Sequence, residues 1–192
     1  MGLSVLPALP AFAQATEVGG VKYDNTARVA GETLQLNGAG IRYKAVFKVY
    51  TAGLYLNQKA GTPEAVIANT GPKRIHVVML RDIDANELGK LFTRGMQDNS
   101  PRDEFAKSIP GTIRMGEIFA AKKKLSNGES FSVEYVPNTG TSVLVNGKVM
   151  GEPIKEPEFF TGLLRIWLGK SPADANLKEA LLGNKPAPRI EN

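Results

Sequence analysis

Residues 46–56 (VFKVYTAGLYL) are apolar at both odd and even positions and rich in β-branched and aromatic side chains, which predicts a central strand. A second run of this kind spans 73–81 (KRIHVVMLR). Upstream, residues 18–36 form short strand-like stretches broken by Gly19-Gly20 and Gly31. The period turns helical over 84–99, where Leu88, Leu91, Phe92 and Met96 fall on one stripe and Asp84 and Glu87 stand at capping-box spacing. Thr62 predicts the start of a short helix over 63–69, and Pro110 the start of another over 111–125. Three strands follow, over 130–136, 141–145 and 148–150, the last two joined by an Asn146-Gly147 turn. Residues 158–168 (EFFTGLLRIWL) are apolar almost all round, predicting a buried helix that closes at Gly169, and a final helix runs over 173–182 to Gly183. Strands paired by hairpins, helices grouped between and after them, and no regular strand–helix alternation predict an α+β fold with a largely antiparallel sheet.

The chain has 192 residues, of which 42% are hydrophobic and 22% charged, enough for one domain with its own core. Residues 1–15 (MGLSVLPALPAFAQA) are uncharged, apolar and end in small-x-small patterns. They read as a signal-peptide remnant and imply export, to the periplasm in a bacterial cell. A single domain is expected over 16–184, with a loose Pro-containing tail over 185–192. No later run reaches the roughly 18 apolar residues of a membrane span, so no transmembrane segment is expected. The net charge of +5 permits anionic ligands, yet the one dense basic run, Lys122-Lys123-Lys124, falls near a helix end where cations complement the dipole. No aromatic residues interleave with it, so nucleic acid is not an expected partner. Protein partners are left open.

Subtraction narrows the chemistry. The chain has no cysteine and one histidine, His76, which excludes thiol nucleophiles, thiolate metal sites and multi-histidine metal sites. No metal and no cofactor are expected. His76 lies inside a predicted strand with no partner nearby in sequence and reads as structural. Asp84 is better used as a helix cap than as half of a catalytic pair with Asp82. The glycines of Asn37-Gly38-Ala39-Gly40 precede a strand-like run rather than a helix, so they mark a bulge or a close backbone approach, not a phosphate loop. Arg42 follows them and precedes an apolar strand. An arginine cannot neutralise, so beside an apolar cleft it needs an anionic or oxygen-rich partner.

The run LNGAGIRYKAVFKVYTAGLYL (36–56) resembles the signature of the chalcone isomerase superfamily, a GAGxR segment leading into a strand that ends in a GxY pattern. GLLRIWLGKSPADANLKEALLG (162–183) is similar to that family's C-terminal helix, SP turn and final helix. Together the two cover roughly residues 21–183, and the chain looks closest to bacterial exported chalcone-isomerase-like proteins. The resemblance implies a large antiparallel sheet with a layer of helices packed on one side and a ligand cleft between. The family's plant enzymes close a chalcone to a flavanone by intramolecular addition. Its fatty-acid-binding relatives hold a carboxylate with an Arg and a Tyr in the same cleft.

Arg42 matches the arginine shared by both branches. In the enzymes a threonine of the next strand joins it, and here either Tyr50 or Thr51 could take that place. Alternation sends neighbours to opposite faces, and aligning Gly53-Leu54-Tyr55-Leu56 with the family's strand ending puts Tyr50 in the slot. The helix stretch 86–94 has no tyrosine where the enzyme branch uses one, and the enzymes' last threonine falls on Ile166. On one straight strand Arg42 and Tyr50 would stand about 27 Å apart; a tight turn near Tyr43-Lys44-Ala45 would bring them to about 10 Å, with Tyr50 some three residues beyond the partner of Arg42.

The expected function is therefore non-catalytic binding of a fatty acid or similar small apolar carboxylate. Arg42 and Tyr50 would hold the head group, with a wall from Met79, Leu91, Phe92, Phe159, Leu163 and Trp167. The alternative is an intramolecular lyase (isomerase) acting on a flavonoid-like or enone substrate, with Arg42 stabilising developing negative charge and Thr51 or Tyr50 assisting. A third possibility is an envelope interaction protein with a vestigial cleft.

Overall fold

The computed structural model describes residues 15–188; the leader expected over 1–15 lies outside them except for Ala15, as does the tail beyond 188. In chain order the elements are β1 (Thr16–Val18), β2 (Val21–Tyr23), β3 (Thr26–Val29), β4 (Glu32–Lys44), β5 (Phe47–Leu56), α1 (Pro63–Ala68), β6 (Lys73–Met79), β7 (Ile83–Asp84), α2 (Ala85–Asn99), α3 (Arg102–Lys122), β8 (Lys124–Leu125), β9 (Ser130–Val136), β10 (Gly140–Val145), β11 (Lys148–Val149), α4 (Pro157–Leu168) and α5 (Ala175–Leu181). Seven strands form one sheet in the order β11-β10-β9-β6-β5-β4-β3, every neighbouring pair antiparallel. This is the expected α+β architecture.

The two faces of the sheet have different covers. Tyr50, Ala52, Leu54 and Leu56 of β5, with Ile75, Val77 and Met79 of β6, pack beneath the helices. There Phe92 of α2 meets Phe119, Phe131 and Trp167 at ring separations of 5.5–6.1 Å. The reverse face carries a smaller cluster of Tyr23, Val29, Leu34, Leu36 and Tyr55.

Local sequence explains where helices start. Thr62 accepts the amide of Ala65, and Asp84 accepts that of Glu87, so both expected caps operate. Two boundaries differ from expectation. α3 begins at Arg102, and Pro110 sits inside it rather than opening it. The proline deprives the Ala106 carbonyl of its donor, but both residues are exposed, so water can serve instead. The last helix starts at Ala175, because Asp174 is its cap and accepts the amides of Asn176 and Leu177.

The glycines of β4 do allow a close approach. A Cβ on Gly38 would run into the Ala180 carbonyl oxygen, and one on Gly40 would stand 2.7 Å from the Ala180 side chain, so α5 lies directly on the strand backbone. They fall inside one thirteen-residue strand instead of ahead of one.

His76 belongs to the reverse face. Its Nδ1 pairs with the Ser132 hydroxyl at 2.7 Å, and the Tyr23 ring meets it edge-on at 5.9 Å. Burial, aided by the Arg74 charge, pulls its pKa down to about 4. An unfolded chain therefore takes up this proton first as pH falls below about 6.5, so stability is lost through the window from 6.5 down to 4. The His76 contribution to that loss should be on the order of 2–3 kcal/mol. Urea denaturation of wild type and His76→Gln at pH 7 and pH 4.5 checks it: the difference between the two proteins should change with pH.

Candidate functional site

The hairpin of β4 and β5 creates the site. Its turn is Ala45-Val46, later than the expected 43–45, with Ala45 at φ 53°. From that turn Lys44 faces Phe47 and Tyr43 faces Lys48; the register then shifts, leaving Val49 as an extra residue and setting Arg42 directly opposite Tyr50. Cross-strand partners share a face, so Arg42 and Tyr50 point together toward the helices. The expectation that Tyr50 lies three residues past the partner of Arg42 is corrected: Tyr50 is that partner.

The Tyr50 ring lies 5.7 Å from the Arg42 guanidinium, within cation–π range. Tyr50 is 1% exposed, and its hydroxyl accepts a 2.9 Å hydrogen bond from Trp167 Nε1. Burial pushes the phenol up to about 12, against the opposing pull of the Arg42 charge and the Trp167 bond. It therefore stays protonated at neutral pH, and its own O–H remains a donor. Arg42 is half-buried and forms no hydrogen bond or ion pair with a described residue. Asp174, the nearby carboxylate, is engaged with the Tyr43 amide and the α5 cap.

Both side chains open on a cleft of about 170 Å³ between β4–β5 and α2. Its apolar wall comes from Ile83, Leu88, Leu91, Phe92 and Ile166, and Arg94, Asp98 and Ser171 add polar atoms. Of the wall residues expected from sequence, Leu91 and Phe92 line this cleft. Met79, Phe159 and Leu163 do not: each is fully sealed in the core under the helices. Trp167 is equally buried and reaches the site only through the Tyr50 hydroxyl. Residues 88, 91, 92 and 95 recur at helical spacing, so one face of α2 supplies this side of the cleft.

Thr51 faces the other way. Its hydroxyl pairs with Tyr23 at 2.7 Å on the reverse face, so it cannot act beside Arg42. Nor do the described residues contain a group of three or more metal-binding side chains. The site can present two kinds of donor, guanidinium N–H and phenol O–H, to one anionic oxygen pair at the edge of an apolar wall.

An antiparallel seven-stranded sheet with helices packed on one face is the architecture of a chalcone-isomerase-like class of protein. The chain belongs to the chalcone isomerase-like family, whose model matches residues 15–183. No curated protein sequence matches it. Among solved structures it is similar to a fatty-acid binding protein of Arabidopsis thaliana, with a TM-score of 0.66 and 14% identity over 88% of this chain and 96% of that one. At that identity the likeness establishes the fold.

Trp167 should hold Tyr50 in place. Tyr50→Phe leaves a buried indole N–H without its acceptor, at an expected cost of about 1–3 kcal/mol. A double-mutant cycle with Trp167→Phe, read by urea denaturation, should show a coupling of about 1 kcal/mol.

Proposed function

We propose that the protein is a non-catalytic binder of an amphipathic carboxylate such as a fatty acid, with the head group held between Arg42 and Tyr50. The observation that carries this is a half-buried guanidinium that forms no ion pair with a described residue, facing an apolar cleft beside a protonated phenol. A ligand carboxylate would give Arg42 an ion-pair partner and can accept from both groups. The fold is shared with a fatty-acid binding protein, which supports the same ligand class. The orientation of Thr51 leaves Tyr50 as the group beside Arg42, the pairing of the carboxylate-binding reading.

Size refines the ligand. A cleft of about 170 Å³ is close to the roughly 150 Å³ cavity that accepts a benzene ring and below the usual ligand-pocket range. An adjoining groove of about 430 Å³ shares Arg42, Ile83 and Leu91 with it and runs past Val49 and Arg81 to the surface. The head group would sit where the two spaces meet.

Arg42→Ala should weaken binding of a medium-chain fatty acid by about ten- to a hundredfold, measured by isothermal titration. Unchanged affinity would remove the clamp, and chalcone turnover abolished by the same substitution would favour the isomerase instead. Across a series of carboxylates, affinity should rise by about 0.8 kcal/mol per methylene over the first six to eight carbons or so, then flatten as the small cleft fills. A gain continuing undiminished to long chains would assign the tail to another path.

A further inference from the structure

The tip of the β4–β5 hairpin presents apolar side chains to solvent. Val46 is 80% exposed and Phe47 58% exposed, whereas the interior of β5 is buried. Turn positions ordinarily take Gly, Asn, Asp or Ser. A β-branched residue followed by an aromatic one therefore has no use in the hairpin itself, and neither side chain joins a core cluster.

The charged side chains on the tip itself have one sign. Lys44 and Lys48 flank it, and the Arg81 guanidinium stands 5.2 Å over the Phe47 ring. None of these three cations pairs with a described carboxylate. The acids on the adjoining segment are taken: Asp82 by Lys124, Asp84 by the α2 cap, and Glu87 by Lys90. Two apolar side chains on a narrow turn fall well short of the roughly 800 Å² per partner that a stable protein interface buries. Apolar residues ringed by cations do suit the headgroup zone of an anionic bilayer, where the apolar side chains enter and the cations meet phosphates.

We propose that the β4–β5 tip docks the protein on anionic lipid bilayers, Val46 and Phe47 entering the headgroup zone and Lys44, Lys48 and Arg81 pairing with lipid phosphates. The groove that leads to Arg42 opens beside this tip, lined by Lys44, Arg81 and Leu91 and, on its helix side, by the already partnered Asp82, Asp84 and Glu87. As a docking surface the tip stands independently; as the gate through which an amphipathic carboxylate passes between bilayer and cleft, it rests on the proposed function.

The test is co-sedimentation of the full chain with vesicles of phosphatidylcholine alone and of phosphatidylcholine mixed with phosphatidylglycerol. Wild type should bind the anionic vesicles at least about tenfold more strongly than the neutral ones, and high salt should reduce that preference. Val46→Ser with Phe47→Ser should lower anionic-vesicle binding by about tenfold or more, while fatty-acid affinity in solution and the thermal midpoint stay near wild type. Arg42→Ala should lose the fatty acid and keep the vesicles, so failure of the clamp and failure of the dock are read separately. Three outcomes would overturn the docking proposal: no binding of wild type to anionic vesicles, equal binding by the Val46/Phe47 variant, or a wild-type dimer in solution that the variant converts to monomer.

Discussion

The site depends on a register shift in one strand pair. Counting back from the Ala45-Val46 turn, an unbroken antiparallel ladder would set Arg42 opposite Val49 and Ile41 opposite Tyr50. Tyr50 would then share a face with Ile41, and Arg42 would meet an aliphatic side chain. The extra residue at Val49 cancels that outcome and brings the guanidinium and the phenol to the same side. A second shift, at Asn37, restores the original register beyond Gly38. Only the stretch pairing Gly38–Arg42 with Tyr50–Leu54 is displaced, and it is also the stretch that the helices cover. The second bulge has its own use: the Asn37 amide group donates to the Ala60 and Leu181 carbonyls and accepts the Ala60 amide, tying the end of α5 to the sheet.

Tyr50 and Thr51 show how one strand serves two layers. Adjacent in sequence, they reach opposite faces, and each ends in a buried hydrogen bond with a side chain from far along the chain: Trp167 on the helix side and Tyr23 on the reverse. Both bonds satisfy polar atoms that would be costly to leave alone in the interior. They also pin β5 from both sides, so the half-buried Arg42 is presented by a backbone with little freedom to move. Arginine suits that position better than lysine would, since its planar donors can serve a carboxylate while the cation rests against the Tyr50 ring.

Much of this was legible in the amino-acid pattern. The caps at Thr62 and Asp84, the Asn146-Gly147 turn, the buried helix ending at Gly169 and the antiparallel arrangement all follow from local rules that the structure obeys. Parity made Tyr50 and Thr51 exclusive, and the match of Gly53-Leu54-Tyr55-Leu56 to the family's strand ending chose Tyr50. What escaped was whatever depends on depth or on a single inserted residue. Met79, Phe159 and Leu163 are as apolar as Leu91 and Phe92, and no pattern along the chain tells a sealed core from the wall of a cleft. The Val49 bulge carries no glycine to announce it. Pro110 was read as a helix opener because its cost in a helix interior is usually prohibitive, yet on an exposed face water meets the carbonyl it abandons.

The cleft and the hairpin tip lie on the same two strands, and that shared support has a mechanical consequence. Arg42 and Lys44 are two residues apart on β4, while Phe47 and Tyr50 are three apart on β5. Within about 10 Å of chain at ~3.4 Å per residue, one ribbon passes from an exposed apolar turn, through a ring of cations, to a buried phenol. A carboxylate moving along this path would pass Lys44 and Arg81 on the way to Arg42, with Asp82, Asp84 and Glu87 on the opposite flank and apolar surface from Leu91 and Ile83. Ordering from outside to inside thus matches the order of an amphipathic molecule's needs: first a charged surface, then a counter-ion, then a dry wall. A rigid ribbon makes that order a property of the backbone register, and the bulge at Val49 is the residue that completes it.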